Sequence, residues 1–150
     1  MSIENNFPLV QIQKLAKIES SRRQFYRPIY SLHKWWARRP GVTFRAIGLS
    51  HFLAPQKLFN GEFGKGMPFY MNHNFKDKII IDPFMGGGTT IVEMNRLGIR
   101  TIGVDLNPVA WWTVKKELDS FDESEFLKTF SRLQKTIGKK IKTLYKTTCG

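Results

Sequence analysis

Ile79-Ile80-Ile81-Asp82-Pro83-Phe84-Met85-Gly86-Gly87-Gly88-Thr89-Thr90 is the stretch whose reading decides the fold. Three β-branched apolar residues predict a buried strand with an acid at its end. The successive glycines then predict a loop almost without side chains, whose backbone a ligand can approach closely. Thr89 and Thr90 are expected to cap a following helix that carries Ile91, Val92, Met94 and Leu97 and stops at Gly98. A second short strand, Thr101-Ile102-Gly103-Val104, ends in another acid, Asp105. Strand, glycine loop, helix, strand and acid is the order in which an open α/β sheet holds a nucleotide-like ligand. The second acid is placed to accept hydrogen bonds from ribose hydroxyls.

Composition bounds what surrounds this half-site. A chain of 150 residues suits one domain, enough for a real core. Its 24 Lys and Arg against 12 Asp and Glu give a net charge of +12. The excess lies largely between Arg22 and Arg45 and in the last helix, where no acid follows Glu125. Such a balance favours a polyanionic partner, nucleic acid above all. A single cysteine excludes an internal disulfide framework and suits a reducing compartment. No stretch reaches membrane-spanning length and no signal-like apolar core follows Met1, so a soluble cytoplasmic protein is expected.

In chain order, Met1 to Ser20 offers Ile12, Leu15 and Ile18 at helical spacing, and residues 1–30 read as an N-terminal arm on the core. Ser31-Leu32-His33-Lys34-Trp35-Trp36-Ala37-Arg38-Arg39-Pro40 mixes two tryptophans with three cations and a histidine. Such a mixture can hold phosphates and stack bases or an adenine ring. The alternative is that both tryptophans anchor the core while the cations snorkel to water. Pro40 opens a helix with Val42, Ala46, Leu49 and Leu53 on one face, closed before Pro55; His51 falls off that face, toward solvent. Residues 55–77 read as a long glycine- and proline-containing insertion, either a flap over a ligand or a loop packed on the scaffold. Asn107 caps and Pro108 opens the next helix, whose expected buried stripe is Ala110, Trp111, Val114 and Leu118. The alternative to a ribose contact for Asp105 is that it merely caps the turn at Asn107. Residues 122–146 read as one long basic helix with Asp122 and Glu125 at its start. Phe126, Phe130, Leu133, Ile137, Ile141 and Leu144 form its apolar series. Its other face carries Lys128, Arg132, Lys135, Lys139, Lys140 and Lys146, a solvated face or a contact for nucleic acid or a second chain.

Asp82-Pro83-Phe84-Met85-Gly86-Gly87-Gly88-Thr89-Thr90 resembles the D-P-F-x-G-x-G-T-T motif with which amino-group DNA methyltransferases bind S-adenosyl-L-methionine (AdoMet). Ser31 to Pro40 is similar to the opening of the Zn-ribbon-containing adenine-specific DNA methylases found near phage-defence genes. With Asp105-Leu106-Asn107-Pro108-Val109-Ala110-Trp111 added, the resemblance runs from Ser31 to about Leu118. It implies a partial, Rossmann-like AdoMet-dependent methyltransferase fold, the N-terminal half, of class α/β. It implies Asp82 near the methionine ammonium, Phe84 beside the cofactor, Gly86 and Gly88 at its backbone, Asp105 on the ribose and Leu106 on the adenine. Pro83, Met85, Thr89, Thr90, Asn107, His33 and Lys34 complete the implied cofactor set. Arg38, Arg39, Lys135 and Lys139 are the implied contacts to DNA.

The sequence departs from that family in two places. Many relatives carry histidine, then lysine-proline; here His33 precedes Arg39-Pro40 at a spacing longer by two, with arginine for lysine. Methyl transfer to an exocyclic amine also needs a D/N/S-P-P-Y/F/W motif, whose aromatic stacks on the flipped base. The chain has no Pro-Pro dipeptide, and Asn107-Pro108-Val109 lacks the second proline and the aromatic. No catalytic residue is therefore named, and the chain is expected to be inactive alone, its other half following or lying on a second methyltransferase chain. Cys149 could open a zinc ribbon, but no metal is assigned to it. The readings carried forward are part of an adenine-N6 or cytosine-N4 DNA methyltransferase, an RNA base methyltransferase fragment, and a non-enzymatic nucleic-acid-binding module.

Overall fold

The computed structural model describes residues 3, 7–21, 28–53, 58, 59, 69 and 73–146. The expectations for Arg22 to Arg27, for most of the 55–77 insertion and for Cys149 lie outside them. The chain divides into two units, Met1–Leu118 and Asp119–Gly150, where one domain was expected.

In the first unit, helix α1 (Leu9–Ser21) precedes a short 3-10 turn (Pro28–Ser31) and helix α2 (Gly41–Phe52). Strand β1 (Ile79–Asp82), helix α3 (Thr89–Arg96), strand β2 (Arg100–Gly103) and helix α4 (Pro108–Leu118) follow. β1 and β2 pair in parallel, Ile79 opposite Arg100 and Asp82 opposite Gly103, with α3 as the crossover that parallel strands require. The ladder continues past the strand ends, where Val104 N donates to Asp82 O (2.9 Å) and Met85 N to Val104 O (3.0 Å). The two acid-bearing tips are thereby held side by side.

One core joins α1, α2, α3 and the start of β2: Ile12, Leu15, Val42, Ala46, Leu49, Leu58, Phe69, Met94, Leu97 and Ile99. α2 keeps the face expected for it, but Pro40 is its N-cap and supplies no side-chain bond. The Glu19 carboxylate caps it instead, accepting from Gly41 N (3.0 Å) and Val42 N (2.9 Å).

Three expectations need correction. The strand is not buried on both faces: Ile79, Ile81, Ile102 and Val104 are each about half exposed, because nothing among the described residues packs on that side of the sheet. Neither Thr89 nor Thr90 caps α3; Gly88 is the N-cap, in the left-handed region with φ 74°, and Thr89 begins the helix. The buried stripe of α4 is Ala110, Thr113, Val114 and Glu117, so Trp111 and Leu118 point outward. That rotation brings Glu117 inward to meet Arg38.

In the second unit, helix α5 (Glu123–Thr136) and helix α6 (Gly138–Leu144) replace the single helix expected. Asp122 caps α5 as its position implied, accepting from Ser124 N and Glu125 N. At the junction, Ile137 N still reaches Leu133 O (2.9 Å) and Ile141 N reaches Ile137 O (3.0 Å). The break falls at Ile137, whose φ of −111° departs from the helical value, next to Gly138, the residue with most backbone entropy to lose in a helix. Neither helix has a buried residue, and the whole apolar series from Phe126 to Leu144 is exposed. Among the described residues no helix is long and apolar enough to cross a membrane.

Candidate functional site

The C-terminal ends of parallel strands are where open α/β sheets bind ligands. Here that edge holds Asp82, the bend 83–88 and Asp105. Asp82 Oδ1 accepts from Phe84 N (3.1 Å), which starts the bend. The chain turns through Gly86 (φ 49°) and Gly88 (φ 74°), a region that side-chain-bearing residues enter at a cost. Asp105 closes the edge: Oδ2 accepts from Gly86 N (2.8 Å) and Oδ1 from Asn107 N (2.8 Å). The Asn107 and Gly86 amides hold its carboxyl below the usual carboxylate value, so it is ionised at neutral pH. Asp105 therefore both starts the α4 turn and ties that turn to the glycine bend. Asn107 in turn caps α4 through Val109 N (2.9 Å).

Phe84 is 84% exposed and Leu106 is 99% exposed, one beside each acid. They offer the site exposed apolar surface. Pro83 is exposed as well, and Thr90 is half-buried.

Three residues of the expected cofactor set turn inward. Met85 is buried, its Sδ filling the space over Gly103 where a side chain would stand. Thr89 is buried at the first turn of α3. Gly88 is buried under Val114, so its missing side chain serves packing against α4. Gly87 is covered too: Trp35 lies across it, with the indole edge extending over Gly86. The bend is thus tied to Asp105 through Gly86 N and packed against Trp35 and Val114.

Trp35 carries the 31–40 segment onto this bend. His33 is exposed and packs on Trp35, their rings 6.3 Å apart edge to face. Lys34 is exposed and lies over Trp36, its Nζ 4.3 Å from the ring centroid. Arg39 is exposed, as a phosphate contact must be.

Arg38 is different, and this corrects its reading as a DNA contact. Its guanidinium is turned inward onto Glu117 Oε1 (2.9 Å) and stacks 4.2 Å over Tyr30. Both charged side chains are almost fully buried, at 7% and 0% exposure. Burial pushes the Glu117 carboxyl up from its ordinary value, against the pull of Arg38 and of His33. Arg38 Nη1, Glu117 Oε2 and Thr113 Oγ1 are buried without a hydrogen-bond partner among the described residues. Tyr30 continues the network, donating to Glu93 Oε1 (3.1 Å), which Arg96 also meets at 3.1 Å. Burial and the Glu93 carboxylate push the Tyr30 hydroxyl up.

Lys135 and Lys139 are exposed on α5 and α6, in the second unit. Among the described residues no three His, Cys, Asp or Glu side chains gather as a metal site needs.

Residues 71–116, which hold both strands, the bend and Asp105, match the DNA methylase family model. Residues 6–65 match a second family, described as a protein of unknown function (DUF1156). The chain is 38% identical over 64 residues to the Type II methyltransferase M.MjaII of Methanocaldococcus jannaschii, covering 39% of this chain and 12% of that protein. It is 29% identical over 98 residues to the Type II methyltransferase M.BsoBI of Geobacillus stearothermophilus, covering 65% of this chain and 14% of that protein. The chain therefore aligns with a small part of each relative's length. No solved structure matches it. The matches support a DNA amino-methyltransferase family, and the DNA methylase family model falls on the strand-bend-strand edge described above.

Proposed function

We propose that this chain supplies the AdoMet-binding part of a DNA amino-methyltransferase acting on adenine N6 or cytosine N4, on a Rossmann-like sheet completed by further chain. The observation that carries it is the tie between Gly86 N and the ionised Asp105, set between the exposed side chains of Phe84 and Leu106. AdoMet supplies an activated methyl on a sulfonium, so the protein's task is to bind and orient it. Asp105 has about four lone-pair sites, of which Gly86 N and Asn107 N use two; the others can accept ribose hydroxyls. Leu106 and Phe84 offer apolar surface to the adenine and the methionine chain. Asp82 keeps Oδ2 for an ammonium, and the start of α3 carries the partial positive charge that suits a carboxylate.

The half-exposed apolar face of Ile79, Ile81, Ile102 and Val104 supports a further layer packed over that side of the sheet, as helices cover both faces of parallel sheets. The same reading assigns the Pro-Pro acceptor motif to further chain or to a second methyltransferase chain.

Isothermal titration of the chain with AdoMet tests this. Saturable binding is expected, weakened at least tenfold in D105A, with a rise in melting temperature on adding AdoMet to the unsubstituted chain. No heat and no thermal shift at millimolar AdoMet would leave a nucleic-acid-binding module without the cofactor.

A further inference from the structure

Trp35 and Trp36 are neighbours in sequence and opposites in environment. Trp35 lies on the glycine bend, whereas Trp36 is 88% exposed. The cause is a turn closed by Arg38 N donating to Trp35 O (3.2 Å), with Trp36 and Ala37 at its corner. Both ends of the turn are fixed, one by the packing of Trp35 on Gly87 and the other by the buried Arg38–Glu117 pair. The corner is thus a rigid mount for an indole that packs against no core.

The surroundings of this indole are cationic. Lys34 covers one region of the ring at 4.3 Å, and Arg39 is exposed three residues on. No Asp or Glu occurs in the sequence between Glu19 and Glu62. We propose that Trp36, flanked by Lys34 and Arg39, is a stacking platform for an unpaired nucleobase whose neighbouring phosphates those cations hold. The proposal rests on the nucleic-acid half of the proposed function and adds a site to it. A π-face between cations on a preorganised turn is the arrangement that binds single strands with little sequence preference. An acidic peptide would use the cations and leave the indole idle. The same turn rests on the candidate cofactor bend, so a base stacked here lies on an element that touches that bend.

The test measures anisotropy of a labelled single-stranded DNA, the same sequence as RNA, and the DNA duplex, between 50 and 200 mM salt. The full chain is compared with W36A, W36F and K34Q/R39Q. W36A should weaken single-strand binding roughly 5- to 150-fold, the range that base–aromatic stacking spans on alanine substitution. Duplex binding should change far less, and W36F should recover most of the loss. K34Q/R39Q should lower the salt slope by about 1.4, at roughly 0.7 per phosphate contact on a single strand. The DNA and RNA arms show which backbone is preferred. Melting temperature and AdoMet titration of W36A should match the unsubstituted chain, because an exposed side chain is replaced. Single-strand affinity of W36A within twofold of the unsubstituted chain overturns the platform, as does a full chain that binds no single strand at 50 mM salt. A chain that ignores AdoMet yet shows the W36A loss refutes the methyl-donor reading and leaves the platform standing.

Discussion

Gly87→Ala isolates the contact that seats the 31–40 segment on the glycine bend. A methyl at Gly87 would stand 2.7 Å from Trp35 Cγ, 2.9 Å from its Cβ and 3.0 Å from its Cδ1. Each distance is roughly 0.5–0.8 Å inside ordinary carbon–carbon contact. The backbone adds nothing to the cost, since Gly87 is not among the glycines with positive φ. Nor can the indole step aside freely, because the Trp35–Arg38 turn and the buried Arg38–Glu117 pair hold its backbone. Overpacking of this kind costs about 1–3 kcal/mol.

The penalty belongs to Trp35, so it must vanish with Trp35. Glycine is the replacement to use, because Trp35 Cβ is itself one of the three clashing atoms. Urea denaturation followed by far-UV circular dichroism on the unsubstituted chain, G87A, W35G and G87A/W35G gives the cycle. G87A should cost about 2 kcal/mol alone and under about 0.5 kcal/mol in the W35G background, a coupling within the range that contacting residues show. Gly86→Ala is the internal control. Its methyl would sit an acceptable 3.4 Å from Trp35 Nε1, but its φ of 49° strains any side chain. That cost, about 1–2 kcal/mol, should be the same with or without Trp35. If G87A costs the same in both backgrounds, the indole does not rest on the bend and the account of the segment fails.

Glu117→Gln should destabilise the first unit by about 3–5 kcal/mol, because it strands the buried Arg38 charge; an R38M/E117M double variant should be less destabilised in the same urea melt. Glu19→Ala uncaps α2 and should cost about 2 kcal/mol, with the loss read from the denaturation midpoint. Gly138→Ala meets the Gln134 side chain at ordinary distances, Cγ at 3.4 Å and Cβ at 3.9 Å, so it should favour a helix continuous across the α5–α6 junction and raise helicity at 222 nm. The folded-state pKa of Asp105 is depressed by two backbone amides, so its contribution is present above the unfolded carboxylate value, near 3.9, and fades as pH falls through the folded value. In D105N the acid limb of the melting-temperature profile should therefore be flatter.

The local pattern of the site was legible because it is built from neighbours. Asp82, the bend, α3, β2 and Asp105 follow one another in 30 residues of chain or fewer, and glycine, cap and β-branched signals act over that range. The double use of Asp105 was half legible: its bond to Asn107 N is local, while its bond to Gly86 N needs the strands to be parallel and in register. The packed side of the bend was not legible. Nothing in Gly87 and Gly88 says which is held open for a ligand and which for Trp35 or Val114, because a missing side chain looks the same in either case.

The buried carboxylates show why the rest was hidden. Glu19, Glu93 and Glu117 meet Gly41, Tyr30 and Arg38 at sequence separations of 22, 63 and 79, and charge alone assigns each acid to a solvated face. Two signals in the sequence do point inward. Glu93 stands inside the apolar run Ile91, Val92, Met94, and Glu117 stands one turn beyond Val114, so each falls on the stripe that its helix buries. The chain from Ser20 to Gly61 carries cations without a single acid, so any of those cations that is buried must find its carboxylate elsewhere. An acid on an apolar stripe and an arginine in an acid-free segment are each incomplete alone. Taken together they pair α4 with the 31–40 segment, and through Trp35 that pairing fixes the back wall of the glycine bend.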